Sequence, residues 1–227
     1  MYLGVGVADQ AVYVTSSLGQ QSSITSERLR SPEDWIELAT YGVQVPERNS
    51  LLACVAVASG TPRREREEIV QAARMAGWDG VLLASSLHAA GRALDAGNRG
   101  EDLALVVVDA GLSSVGILRA RPLSLRMDDH VNPIPGRQAR ELAVSLRCLL
   151  KERPRVEVRR LQRRVIVAGD SNEVERIGRR RLEEELESLG FQRVDFELDP
   201  FLVARGAALI ARETEDHTWR RLRRRWR

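Results

Sequence analysis

The chain is predicted to be an α/β protein made from one strand and helix pattern used twice, and three observations lead there. Residues 103–108 (LALVVV) form an apolar run rich in valine and too short for an isolated helix, as expected of a strand buried on both faces. A similar opening stands at the N-terminus, where residues 2–7 and 11–16 are short apolar strands around Ala8-Asp9-Gln10. After each opening, helix starts, apolar stripes and short strands recur in the same order, and Gly77 and Gly190 each end a helix just before an aromatic residue. Each half reads βββαβαβα, with halves at 1–100 and 101–217 and a basic tail at 218–227.

In the first half, residues 22–30 supply a third strand. Ser31-Pro32-Glu33-Asp34 then starts a helix, with a capping residue, a proline in the first turn and acids near the positive end of the dipole. Trp35, Leu38 and Ala39 are expected on its inner face. Residues 51–58 are the next strand, and Thr61-Pro62 opens a helix whose stripe is Ile69, Ala72, Ala73 and Ala76. Residues 78–83 read as a strand, and Ser85 or Ser86 caps a helix running to about Ala96 and closed by Gly97.

In the second half, Asp109-Ala110-Gly111 breaks the first strand with a tight turn, and Val115, Ile117 and Leu118 resume it as the return of a hairpin. A weaker strand at 123–127 precedes a helix from about Arg137, whose Ala139, Leu142, Ala143, Leu146, Leu149 and Leu150 make an apolar face. Residues 164–168 form a strand. Ser171 is expected to cap one long helix with Val174, Ile177, Leu182, Leu186 and Leu189 inward, ended by Gly190. A strand at 193–198 leads to Asp199-Pro200, the start of a final helix rich in small residues, Ala204, Gly206, Ala207, Ala208 and Ala211, suited to close packing.

A length of 227 residues allows one large domain or two small ones, and 43% hydrophobic with 30% charged residues fits a soluble globular protein. No apolar run approaches transmembrane length and no signal-like segment opens the chain, so a cytoplasmic location is expected. Cys54 and Cys148 are too few for a disulfide framework, and both are expected reduced, Cys54 inside an apolar strand. The net charge is +3, but residues 218–227 hold six arginines and no acid, so the rest of the chain stands at −3. That balance argues against a broad nucleic-acid-binding face and leaves the tail open to an anionic partner.

Several segments resemble the actin-like ATPase superfamily, which includes actin, sugar kinases and the DnaK-type chaperones. Gly4-Val5-Gly6-Val7-Ala8-Asp9 is similar to its first phosphate loop, Asp109-Ala110-Gly111 to its second, and 165–171 (VIVAGDS) to its adenosine loop. Asp199-Pro200 with 203–208 (VARGAA) is similar to the last chaperone helix and is the most specific match. The resemblance implies a duplicated actin-like (ribonuclease H-like) fold. Because the links from third strand to following helix are short in both halves, the insertion subdomains are expected to be reduced.

The chemistry of that superfamily needs a carboxylate near the first loop to hold hydrated magnesium, backbone amides close to phosphate, and a carboxylate that orients water. Here Gly6 stands where the first acid is expected, and Asp9 and Gln10 replace small hydroxyl residues. Ala84 stands where the water-orienting acid would fall, Leu112-Ser113 replaces glycines of the second loop, and Asp170 replaces an adenosine-loop glycine. Gly6, Asp109, Gly111, Gly169, Asp170 and Ser171 are therefore read as vestigial nucleotide loops, with no catalytic residue, cofactor or metal expected; ATP with magnesium is the alternative, Asp109 being its one surviving acid. An acid at a strand end more often caps a turn, and Gly169 with Ser171 equally suits a strand-to-helix turn. His88, and His130 beside Asp128 and Asp129, lack further ligands at metal spacing. A nuclease would need a carboxylate cluster that the acids do not supply.

Trp219, Arg220, Arg221, Arg223, Arg224, Arg225, Trp226 and Arg227 form the one strongly biased segment. A solvated helix end is the plain reading. Tryptophans flanking arginines also suit a membrane surface, or a basic collar on the cytoplasmic side of a transmembrane helix. With the degenerate loops, this tail resembles the cytoplasmic domains of the L-type platform protein of type II secretion and the M-type pilus assembly protein. That resemblance implies docking of an assembly ATPase at the inner membrane. The leading expectation is a non-catalytic interaction module that recruits a cytosolic protein. Its rival is a small ATPase or chaperone-like switch, and a third reading is a scaffold for a metabolic or RNA-modifying complex. A homodimer stays open, and nucleic acid is not an expected partner.

Overall fold

Strand β1 (Tyr2–Val7) sends Leu3 and Val5 to one face of its sheet and Gly4 and Gly6 to the other, and the first half is arranged around that difference. The computed structural model describes residues 1–7, 11–25, 31–42, 51–58, 60–95, 102–108, 112–121, 124–130, 134–135 and 139–225. For 35, 38, 41, 42, 95, 112, 119–121, 124–130, 134–135 and 215–225 it describes the backbone alone.

The first half continues through β2 (Ala11–Ser16), β3 (Gln21–Thr25), α1 (Pro32–Gly42), β4 (Leu52–Val57), α2 (Arg63–Met75), β5 (Gly80–Ser85) and α3 (Ser86–Asp95). The second runs through β6 (Leu103–Val108), β7 (Leu112–Arg121), β8 (Ser124–His130), β9 (Ile134–Pro135), α4 (Ala139–Lys151), α5 (Arg155–Leu161), β10 (Val165–Gly169), α6 (Ser171–Ile177), α7 (Arg179–Ser188), β11 (Val194–Glu197) and α8 (Leu202–Arg225).

The strand orders are β3-β2-β1-β4-β5 and β8-β7-β6-β10-β11. Neighbours on the hairpin side are antiparallel and those on the crossover side parallel in both sheets, with Val5 opposite Val14 and Val55 in one and Val106 opposite Val115 and Val167 in the other. The duplication expected from the sequence is present, with β1 and β6 central. The second half adds three features that the βββαβαβα pattern omits. Strand β9 pairs with the start of β7, the short helix α5 follows α4, and the expected single helix after β10 is two. Gly178, at φ +92°, turns the chain between α6 and α7, a left-handed geometry that costs a residue with a Cβ about 1–2 kcal/mol.

Helix starts follow the sequence closely. Ser31 and Asp34 cap each other's backbone N–H at 3.3 and 3.1 Å, and the Ser85 hydroxyl accepts from the His88 N–H at 3.1 Å. Ser171 is not the cap of α6: Asp170 is, its Oδ1 accepting from the Asn172 N–H at 2.8 Å, while Ser171 is exposed. Ala76 lies beyond the end of α2 and is exposed, whereas Ile69, Ala72 and Ala73 are buried as expected. Ala39 is buried, joined by Ile36; the side chains of Trp35 and Leu38 lie outside the described residues, as do Ala96 and Gly97. The whole predicted face of α4 is buried. Cys54 is buried and Cys148 exposed, and both are free.

Leu3, Val5, Val12, Val14 and Val55 pack with α1 and α2 in one core, and Val106, Val115 and Val167 pack with α4, α6 and α7 in a second. Between the two sheets lie α3 and α8. Leu87 and Ala90 of α3 meet Leu103, Leu105 and Val107 of β6, and Ala207 and Ala211 of α8 meet Cys54 and Ala56 of β4. The small residues of α8 let its backbone reach two neighbours at once. A Cβ built on Gly206 would lie 1.7 Å from the Ala89 carbonyl oxygen, and one on Gly4 would lie 1.9 Å from the Ala204 carbonyl oxygen.

Candidate functional site

The carboxyl ends of β1, β6 and β10 meet the starts of α6 and α8 at one cleft between the halves, the position where open α/β sheets bind ligands. Gly6, Gly169 and Asp170, three of the residues read as vestigial loops, line it together with Tyr13, Val108, Pro200 and Val203. Ser171 begins α6 beside it, and Asp109 and Gly111, which follow Val108, lie outside the described residues.

Among the described residues the cleft leaves little space. Its cavity measures about 30 Å³, where small-molecule sites occupy roughly 300–1,000 Å³. Tyr13 closes it: its hydroxyl donates to Asp170 Oδ2 at 3.1 Å, joining the first half to the second, and its ring meets Phe201 edge to face at 5.4 Å between centroids and 74° between planes. Val203 and Ala204 of α8 stand 3.4–3.6 Å from a Cβ built on Gly6. A Cβ at position 6 would stand in van der Waals contact with that helix. Gly4, where an added Cβ would overlap the Ala204 carbonyl oxygen, serves the approach of α8, a packing role that the phosphate-loop reading of the sequence did not contain.

Each described acid at the cleft is committed. Asp170 caps α6 and accepts from Tyr13. Asp199 caps the entry to α8, Oδ1 accepting from the Phe201 N–H at 2.8 Å, and pairs through Oδ2 with Arg205. Glu173 pairs with Arg176 at 2.7 Å. Ala84, at the expected place of the water-orienting acid, packs with Cys54, Ala56 and Ala89. Among the described residues no three His, Cys, Asp or Glu side chains converge as a metal site. His88 sits in α3 near Arg92, which pairs with Glu213 of α8; burial first, and then the Arg92 charge, hold its imidazole below the ordinary value. The side chains of Asp128, Asp129 and His130 lie outside the described residues.

Tyr13 and Phe201 were missed by the sequence reading, and Val203 was read only as part of the last helix. Burial first, then the Asp170 charge and the hydrogen bond to it, push the Tyr13 phenol from 10.0 up to about 12. The folded state thus holds this proton more tightly than the unfolded one, so its contribution is complete below pH 10 and lost as pH rises to about 12. Burial raises the Cys54 thiol from 9.0 to about 12, a loss of the same sign that opens lower. Tyr13→Phe is expected to cost about 1 kcal/mol at pH 8, the typical net value of one hydrogen bond, and to flatten the alkaline fall between pH 10 and 12. Urea titrations of both chains at stepped pH read this. An unchanged alkaline slope in the variant would mean that Tyr13 does not latch the halves.

No family model and no curated protein matches the sequence. Solved structures do match in shape. The MamK double helical filament aligns at TM-score 0.73 with 13% identity over 93% of this chain and 98% of that one. The archaeal actin homolog Ta0583 aligns at 0.61 with 12% identity over 93% and 99%, and the PilM-PilN type IV pilus biogenesis complex at 0.62 with 13% over 92% and 98%. At such identities the likeness is one of fold, and the fold of this chain is the actin-like fold.

Proposed function

We propose that the chain is a non-catalytic interaction module on the actin-like fold, held at the cytoplasmic face of a membrane by its C-terminal basic stretch and recruiting a cytosolic protein partner. An assembly ATPase of a secretion or pilus system is the specific partner this reading expects. The observation that carries it is the cleft: about 30 Å³, bridged by Tyr13 and Asp170 and backed by α8 where the first phosphate loop would need a carboxylate. The described residues there argue against nucleotide and magnesium. Phosphate would meet the Asp170 carboxylate, and each described acid that could hold a hydrated cation is already capping a helix or paired with an arginine. A fold whose cleft is so narrow among the described residues can still act through its surfaces.

That one neighbour in fold is the PilM half of a pilus biogenesis complex supports a protein partner, without identifying it. The membrane tether rests on the tail alone; among the described residues no helix is long and apolar enough to cross a membrane. Titration calorimetry of the intact chain with ATP and magnesium decides between this reading and the ATPase switch. No saturable heat is expected up to millimolar ATP. Sub-micromolar binding with turnover lost in Asp109→Ala would establish the switch instead.

A further inference from the structure

We propose that a basic groove on the second half, between α4, α5 and the end of α7, docks an acidic amphipathic segment of a partner protein. The proposal rests on the reading of the chain as an interaction module and names the surface and chemistry of one partner. The groove has a volume of about 550 Å³, well above that of the cleft between the halves. Arg147 and Lys151 form one wall, on α4, and Arg155 and Arg159 form the other, on α5. The floor between them is apolar, made by Val158 and Leu189 at the edge of the second core. No acid lines it.

The pattern of pairing singles this surface out. On the exposed faces of α2 and α7 arginines meet glutamates at the i+4 position, as in Arg63–Glu67, Arg64–Glu68 and Arg180–Glu184. On α4 the residue four beyond Arg147 is Lys151, and on α5 the residue four beyond Arg155 is Arg159. Like charges at this spacing disfavour the helices that carry them. All four side chains are exposed, and none has an ion pair among the described residues. The exposed stripe of α4 continues with Val144, half accessible at 50%, and Val156 at the start of α5 is 66% accessible.

Two cationic walls about an apolar floor fit carboxylates flanking a leucine or similar side chain, the arrangement of an acidic amphipathic helix. A nucleic acid fits less well, because no aromatic residue lines the groove for bases to stack on, and the chain outside its tail is net negative at −3. A flat lipid surface would not reach the floor of a concave groove.

The probe is a short end-capped fluorescent peptide with glutamates on one helical face and leucines on the other, titrated with the full chain and followed by anisotropy. Binding is expected, at least tenfold weaker for the analogue with glutamine in place of each glutamate, and at least tenfold weaker in Arg147→Glu/Arg155→Glu. Reversal of the paired Arg63 to glutamate should change it less than twofold. If the double reversal alters the fold by circular dichroism, Arg155→Ala/Arg159→Ala carries the test, with the same direction expected. Absence of peptide binding overturns the proposal, as does binding that survives the groove substitutions but is lost when residues 218–227 are removed. A groove-dependent preference for oligo-dT or for anionic vesicles over the peptide would also overturn it. The calorimetry with ATP separates the two failures: peptide binding through the groove in a chain that also binds ATP sinks the non-catalytic reading alone, whereas no peptide and no ATP binding sinks the groove alone.

Discussion

Gly206→Val is expected to lower the melting temperature of the chain by about 6–12 °C, the shift that a loss of about 3 kcal/mol produces in a domain of this size. Two opposed effects meet at this position. Replacing a glycine inside a helix by a residue with a Cβ gains up to about 1 kcal/mol in helix propensity, a gain that alanine collects in full. Against it stands a Cβ placed 1.7 Å from the Ala89 carbonyl oxygen and 2.4 Å from its carbonyl carbon. Both obstructing atoms are backbone, so no rotamer relieves the overlap, and α3 and α8 must separate. The separation uncovers Ala89, Ala207 and Ala211, all fully buried. Gly206→Ala should therefore also destabilise, in spite of its better propensity. A thermal melt in which Gly206→Ala is as stable as the parent or more so would show that α8 does not pack on α3 in this way. Gly4→Ala tests the other contact of the same helix, where the Ala204 carbonyl oxygen lies 1.9 Å from the new Cβ.

The close packing of α8 was legible in the sequence as a run of small residues, and what it packs against was not. Gly4 and Gly6 alternate with Leu3 and Val5, and a strand with one glycine face admits either a phosphate or a helix backbone. The central strands were legible because a strand buried on both faces has to be apolar throughout, as Leu103–Val108 is. Helix α5 was not, since its seven residues bury only Leu161 and leave no stripe to read. The break at Gly178 was hidden by Ile177 and Leu182, which carry an apolar spacing across it. Ser171 and Asp170 are adjacent capping residues, and the one that precedes the first helical turn took the role. The Tyr13–Asp170 bond joins residues 157 positions apart. No local pattern pairs such residues, so the closure of the cleft became visible only once both sheets were in place.

Removal of residues 218–227 is expected to abolish binding of the chain to anionic vesicles, the largest effect that the membrane reading of the tail predicts. Helix α8 runs without interruption to Arg225, so most of the basic stretch forms further turns of the helix that packs between the sheets. In the sequence Trp219, Leu222 and Trp226 recur at the i, i+3, i+7 spacing of an amphipathic stretch, with the six arginines between and beside them. That is the pattern of a helix lying in a membrane interface, with rings at headgroup depth and cations toward anionic lipid. Each arginine near such a surface contributes about 1 kcal/mol. If half of the six engage together, the gain of about 3 kcal/mol corresponds to roughly a hundredfold in partitioning. The rest of the chain, at −3, opposes approach, so loss of the tail should leave no affinity for anionic lipid. Raising salt from about 0.1 to 1 M shortens the screening length from about 10 to 3 Å and should release the intact chain, except for whatever the tryptophans retain. Co-sedimentation of the intact chain, the truncated chain and Trp219→Ala/Trp226→Ala with anionic and neutral vesicles separates these contributions. Loss of the tryptophan variant at low salt would assign the anchor to ring insertion, whereas its retention at low salt and release at high salt would assign it to charge alone. Equal sedimentation of the intact and truncated chains would remove the membrane from the proposed function and leave the basic stretch as the solvated end of α8.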